Sequence, residues 1–304
     1  MTQYDVSVVI PTYNRRGYLQ RAVESVMAQT FSGRIELVVC DDGSTDDTGL
    51  YISELDAGLD VRYLRNSANV GGSASRNRGI RESSGSYVGL LDDDDTWYPT
   101  KLERCLEVLK ESGVDAVVTG LHRVFGDGSK ETVAIAKEHV RFPRLLAMPV
   151  VGGGSSLVAA RQLLLDVGLF DAALPRYQDW DLLVRLAQRT EIGIVPEPLV
   201  VKTATGLASL QSAEIARSRF TAKHAEFIAA LSLKDRRRTL GNHDLHLFRL
   251  ALAHRRYGRA ALHALAACRR YPRFALSVWK SLPIATSGGA RLSTSNPKRN
   301  QASG

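Results

Sequence analysis

Apolar residues in the first two-thirds of the chain follow two alternating rhythms. Short runs rich in β-branched or aromatic side chains, Val6 to Ile10, Ile35 to Cys40, Val61 to Leu64 and Tyr87 to Leu91, read as buried strands. Helical spacing separates them over Tyr18 to Gln29, Asp46 to Leu55 and Ser73 to Glu82. Pro99 opens a further helix, since its fixed φ suits a first turn. Farther along, Ala116 to Val124 and Ser156 to Ala160 are expected strands, and Asp179 to Gln188 an expected helix. Ile192 to Val201 reads as a closing strand that Pro196 and Pro198 demote to an edge or a broken one. This alternation predicts an α/β domain with a mainly parallel sheet flanked by helices. From about Ser209 the pattern turns helical, and the Ser/Thr/Gly/Asn-rich end predicts disorder.

Composition narrows the picture. The 304 residues are 44% hydrophobic, enough for a sizeable core, with no apolar run of membrane length. The start, MTQYDVSVVIPTYN, carries no signal-peptide pattern, and Cys40, Cys105 and Cys268 have no metal or disulfide spacing. The expectation is a cytoplasmic protein. The net charge of +8 is uneven: residues 234–304 hold 15 Lys and Arg against Asp235 and Asp244. Their surplus of 13 leaves −5 (8 less 13) for the rest. An acidic body with a basic end is unlike a uniformly basic nucleic-acid binder, and no nucleic-acid partner is expected. The basic end interleaves Leu262, Leu265 and Trp279 with Arg255, Arg259, Arg269 and Arg273. That pattern fits either a hairpin packed on the catalytic body or a helix lying on an anionic membrane.

Candidate chemistry gathers where strands end, the place where such sheets bind ligands. Four adjacent carboxylates, Asp92 to Asp95, directly follow Tyr87 to Leu91. Their mutual repulsion calls for a cation or a proton, and hard divalent ions favour oxygen donors of this kind. A carboxylate such as Asp42 at a strand end can accept from a nucleobase N–H. Asp46 reads only as a helix cap. Gly71 and Gly72 precede a helix containing Arg76 and Arg78, an arrangement that favours diphosphate. None of the seven histidines has metal-ligand spacing, and His243 and His246 read as surface residues.

In order, PTYNR, DDGSTDDT, NVGG-x₃-RNRG, LDDDDTWYP and QDWD resemble the family 2 glycosyltransferases of the GT-A fold, over about residues 5 to 203. The resemblance implies a Rossmann-like mixed, mainly parallel sheet in a catalytic domain over 1–205. The residue pattern beyond it adds a basic helical extension over 206–284 and a tail over 285–304 expected to be disordered. It implies an inverting, metal-dependent transfer from a nucleotide-diphosphate sugar, UDP-sugar by preference, to a hydroxyl of a saccharide or lipid-linked saccharide. By position, Pro11, Thr12, Tyr13, Arg15, Asp42, Gly71, Arg76, Asp92 and Asp93 match the nucleotide-sugar side. Asp94 matches the ligand for Mn²⁺ or Mg²⁺, with Asp95 behind it, and Asp179 matches the catalytic base. Gly154, Ser155 and Trp180 fall on the acceptor side, whereas Trp97 reads as structural. The chain departs from the family pattern in carrying Gln178 before the base. Lys202 stands where many relatives have an Arg, and the accompanying His has no counterpart. Competing readings are a nucleotidyltransferase, which lacks its Gly-rich loop here, and an inactive sugar-nucleotide-binding relative, disfavoured by intact Asp94 and Asp179. A processive synthase would show a QxxRW-like motif, which is absent.

Overall fold

The computed structural model describes residues 4–56, 58–133, 135, 142–147, 153–204 and 208–276. The tail expected to be disordered, and Trp279 of the amphipathic pattern, lie outside the described residues. One sheet forms the body, with strand order β3 (Asp60–Arg65), β2 (Ile35–Asp41), β1 (Tyr4–Thr12), β4 (Gly85–Leu90), β8 (Leu157–Ala160), β6 (Ala116–Val124), β9 (Ile192–Thr203) and β5 (Thr96–Trp97), and with β7 (Lys130–Val133) paired to β6. β1 (Tyr4–Thr12) runs parallel to β2 (Ile35–Asp41) on one side and to β4 (Gly85–Leu90) on the other. Val6, Val8, Val9 and Ile10 have no exposed surface, as a strand covered on both faces requires. β3 (Asp60–Arg65) adds a parallel outer strand.

Helices cover this parallel part. α1 (Arg16–Met27) buries Leu19, Ala22, Val23 and Val26, a helical stripe at i, i+3, i+4 and i+7. α2 (Thr48–Ser53) is short, and α3 (Gly72–Glu82) lies tight against the strands. A methyl group at Gly79 would come 2.5 Å from Cys40 Sγ and Val9 Cγ1, so α3 needs a glycine there to approach. β5 (Thr96–Trp97) and α4 (Lys101–Ser112) follow β4; the helix starts two residues beyond Pro99, with Thr100 at its cap.

Beyond β4 the sheet becomes mixed. β8 (Leu157–Ala160) lies antiparallel between β4 and β6 (Ala116–Val124), and β7 (Lys130–Val133) forms a hairpin with β6. α5 (Arg161–Asp166) and α6 (Gln178–Leu186) lead to β9 (Ile192–Thr203), parallel to β6. The expectation of an edge or broken strand here needs correction. β9 is continuous and lies between β6 and β5, and its prolines fall at a register shift where Thr119 pairs Val195 but Gly120 pairs Pro198. A bulge absorbs the missing ladder donors without ending the strand.

The helical end comprises α7 (Leu210–Lys223), α8 (Ala225–Ala230), α9 (Leu233–Ala253) and α10 (Tyr257–Arg270). Ser209 and Ser232 cap α7 and α9 by accepting from Ser212 and Asp235 N–H. Phe220 and Ile228 join the apolar cluster of the sheet, so α7 and α8 share the body's core. α9 and α10 close a smaller core of their own around Leu245, Phe248, Ala251, Ala260 and Ala267. Among the described residues no helix is long and apolar enough to cross a membrane.

Candidate active site

Register brings the polar strand ends together. Thr12 pairs Asp41, and Val9 pairs Leu90, so the turns after β1, β2 and β4 open at one edge. Asn14, in left-handed conformation, stitches two of them: its Oδ1 accepts from Thr45 N–H at 2.7 Å and its own N–H donates to Ser44 Oγ at 2.9 Å. Asp46 accepts from Thr48 N–H at 3.2 Å at the start of α2, and from Arg16 N–H.

The carboxylate run after β4 divides by side chain. Asp93 turns toward β1, accepting from Thr12 Oγ1 at 2.9 Å and Arg15 Nη1 at 3.2 Å. The same Arg15 atom is 3.3 Å from Asp94 Oδ2. Asp92 accepts from Arg76 on Oδ1 and lies 3.4 Å from Lys202 Nζ on Oδ2. Asp95 accepts from Lys202 Nζ at 2.9 Å, Ser155 Oγ at 2.7 Å and Thr203 N–H at 3.2 Å. Oxygens of Asp92, Asp94 and Asp95 all fall within 4.8 Å of one another. The oxygen donor set fits a hard divalent cation, with Asp93 directed elsewhere.

Electrostatics separates these groups. Burial pushes the Asp92 carboxyl up, but Arg76 and Lys202 outweigh it and hold it well below the usual carboxylate range. At Asp95 burial wins: the carboxyl is pushed up to about 6, with Lys202 opposing and Asp92 adding to the rise. Burial also raises Asp93, against Thr12 and Arg15.

Asp179 occupies the first turn of α6, just after Tyr177 in left-handed conformation. Burial and neighbouring Asp92 raise its carboxyl, while Arg76, Lys202 and the Gly154 N–H oppose the rise. A methyl group on Gly154 would come 3.2 Å from Asp179 Oδ1, so the glycine brings backbone up to the carboxylate. Ser155 does more than line this side. Its hydroxyl accepts from Asp92 N–H at 3.0 Å and donates to Asp95, tying its loop to the acidic turn.

Other expected residues have definite places. Pro11 and Thr12 are buried at the end of β1, with Tyr13 exposed beside them. Asp42 is buried with both oxygens engaged: Oδ1 accepts from Asn66 Nδ2 and Val70 N–H, and Oδ2 from Gly71 N–H at 2.8 Å. It thereby pins the turn entering α3, where Gly71 has φ +89°. Trp97 is buried and donates from Nε1 to Ser155 O.

Two expectations are corrected. Trp180 does not face an open acceptor side. It is buried, donates to Leu145 O, and packs on Phe220 at 4.8 Å and on the His243 ring at 4.6 Å, the latter nearly parallel to it. His243 is correspondingly no surface residue; burial lowers it to about 4. Both follow from α7 and α9 folding back over α6, which no local periodicity reveals.

Sequence reasoning overlooked Asn77. Its side chain exchanges two 2.9 Å hydrogen bonds with the Phe170 backbone, and the Phe170 ring lies 5.6 Å from the Arg76 guanidinium. The available signal was a polar, weak helix former on the buried stripe of α3. A second overlooked group is Asp181, fully buried. It accepts from His224 Nε2 at 2.9 Å, Lys223 Nζ at 3.0 Å and Arg185 Nε at 2.9 Å.

The mixed sheet flanked by helices has the GT-A architecture. Solved structures share it: S. aureus TarS 1–349 in complex with UDP-GlcNAc matches with TM-score 0.60 at 18% identity, covering 91% of each chain. The mannosyltransferase PcManGT of Pyrobaculum calidifontis, in complex with GDP-Man and Mn²⁺, matches with TM-score 0.60 at 19% identity, covering 92% of this chain and 81% of that one. The family model described as "Glycosyl transferase family 2" matches residues 7–161, and the chain belongs to that family. An uncharacterized glycosyltransferase of Rickettsia felis is 30% identical over 206 residues, 65% of this chain and 34% of that protein. The Escherichia coli protein named UDP-Glc:alpha-D-GlcNAc-diphosphoundecaprenol beta-1,3-glucosyltransferase WfgD is 28% identical over 146 residues, 48% of this chain and 56% of that one. The matched region spans about a third or less of several Rickettsia relatives.

Proposed function

We infer that this protein transfers a sugar from a nucleoside-diphosphate sugar to a hydroxyl acceptor, with inversion. The observation that carries the reading is the meeting of Asp92, Asp94 and Asp95 beside the raised carboxyl of Asp179. Asp94, with Asp92 and Asp95, would hold Mn²⁺ or Mg²⁺. When bound, the ion neutralises charge developing on the leaving diphosphate. Thr12, Arg15 and Asp93 form the adjoining wall on the nucleotide side, with Asp42 and Gly71 shaping the turn beside it. Arg76 contributes a fixed positive charge at the base of the corner. Asp179 takes the proton from the acceptor hydroxyl; its raised affinity for protons suits that role better than an ordinary carboxylate. One base acting from the side opposite the leaving group gives a single displacement and inverted configuration.

UDP-sugar is the favoured donor, in line with the UDP-GlcNAc complex of TarS and the activity named for WfgD. The latter's name also supports a lipid-linked acceptor. A membrane-facing role for the basic helices agrees with exposed Leu262 and Leu265 on α10, beside Arg237, Arg269 and Arg270. Replacing both leucines with Glu is expected to abolish co-sedimentation with anionic vesicles; unchanged binding removes this surface from consideration. The donor reading is tested by thermal shifts with UDP-, GDP- and dTDP-sugars, with and without Mn²⁺. Stabilisation that requires nucleotide and ion together is expected. Absence of any nucleotide-dependent shift rejects the reading.

A further inference from the structure

Lys202, near the end of β9, has a position unusual for a surface lysine. Its ammonium lies 2.9 Å from Asp95 Oδ2 and 3.4 Å from Asp92 Oδ2, between two of the three carboxylates that cluster within 4.8 Å. The side chain is only 26% exposed. Gly153, with φ +103°, leaves it room: a methyl group there would come 2.8 Å from Nζ. Carboxylate oxygens on both sides give the ammonium direct counter-charges. Arg15 flanks the same trio at Asp94, and Arg76 at Asp92.

A divalent ion bound to carboxylate oxygens sits about 2.0–2.6 Å from them. An ammonium already bridging two of those oxygens blocks part of that space and repels the incoming charge. Its four-carbon stem is flexible, so it can leave without backbone movement. A diphosphate offers it new anionic partners beside the corner.

We propose that Lys202 is an internal counter-ion that keeps the acidic corner assembled and makes divalent-ion binding conditional on a nucleoside diphosphate. The proposal rests on the reading of this corner as the metal and diphosphate site. Metal and nucleotide then strengthen each other's binding by the same factor, as linkage requires. Without nucleotide the ammonium competes for Asp92 and Asp95; with it, the ammonium has somewhere else to go.

The test is titration of the full chain with Mn²⁺, following the free-ion signal by electron paramagnetic resonance, with and without UDP or GDP. In the parent, nucleotide should tighten Mn²⁺ binding about 10-fold or more, a coupling of ordinary size. Lys202→Met should bind Mn²⁺ alone about 10-fold tighter than the parent, with most of the nucleotide enhancement gone. Lys202→Gln should behave likewise and serves if the Met variant folds poorly; Lys202→Arg, which keeps the charge, should resemble the parent. Equal Mn²⁺ affinity in parent and charge-removed variants overturns the role of Lys202 while leaving the metal site standing. No Mn²⁺ bound by any of these proteins, with or without nucleotide, removes the metal reading and this proposal together.

Discussion

Two clusters of acid and base lie on either side of α6, and they are balanced differently. At Asp181 the carboxylate is fully buried and receives Arg185, Lys223 and His224, with Lys223 shared by Asp171 at 2.7 Å. Two carboxylates there meet two permanent cations and a histidine. At the open corner, among the described residues, Asp92, Asp93, Asp94, Asp95 and Asp179 are met by Arg15, Arg76 and Lys202, five negative groups to three positive. The first arrangement is complete in itself and holds α7 against α6. Among the described residues the second is short by two positive charges, while burial, with Asp92 adding to it, raises the carboxyls of Asp95 and Asp179. A structural ion cluster closes its own charge, whereas a ligand site leaves a deficit that a divalent cation can fill.

That contrast is open to attack by mutation. The largest effect is expected at the corner: Asp179→Asn should lower sugar transfer by about 10³-fold, within the range for loss of a general base. Nucleotide-dependent thermal stabilisation should be retained, and undiminished transfer removes Asp179 as the base. Next, Asp181→Ala should cost roughly 3 kcal/mol of stability in urea denaturation, because it leaves the part-buried Arg185 and the buried His224 without their carboxylate. Asp94→Asn, which removes one of several like charges, should change stability by less than about 1 kcal/mol. Equal losses at the two sites would undo the comparison.

A smaller effect is expected from His243, packed on Trp180. Burial lowers its pKa to about 4 in the folded chain, against an ordinary value of 6.5. On acidification the unfolded chain binds this proton first, so stability present above about pH 6.5 is lost as pH falls toward 4. Between pH 7 and pH 5 the loss should be about 2 kcal/mol, and His243→Gln should lack that increment when urea midpoints are compared. The smallest effect belongs to the outer face of α10. Leu265→Ser should alter stability by no more than about 0.5 kcal/mol, since that side chain is 68% exposed.

Much of this was legible before folding. The buried strand runs of β1, β2 and β4 and the stripe of α1 came directly from side-chain periodicity. The two-residue β5 and the exposed β7 were not foreseen: neither is long or apolar enough to show a period. In the candidate site, local motifs singled out Thr12, Asp42, Asp92 to Asp95 and Asp179 as candidates by their order along the chain. Partners were another matter. Lys202 meets Asp92 across 110 positions of sequence, and His224 meets Asp181 across 43.

The sequence by itself determined where strands run and that carboxylates stand at their ends, because periodicity and covalent adjacency act over a few residues. Only tertiary structure decided which of those carboxylates converge, which cations reach them, and that Trp180 faces α9 rather than an acceptor. Coulomb energies and burial depend on distance through space, and packing sets that distance between segments far apart along the chain.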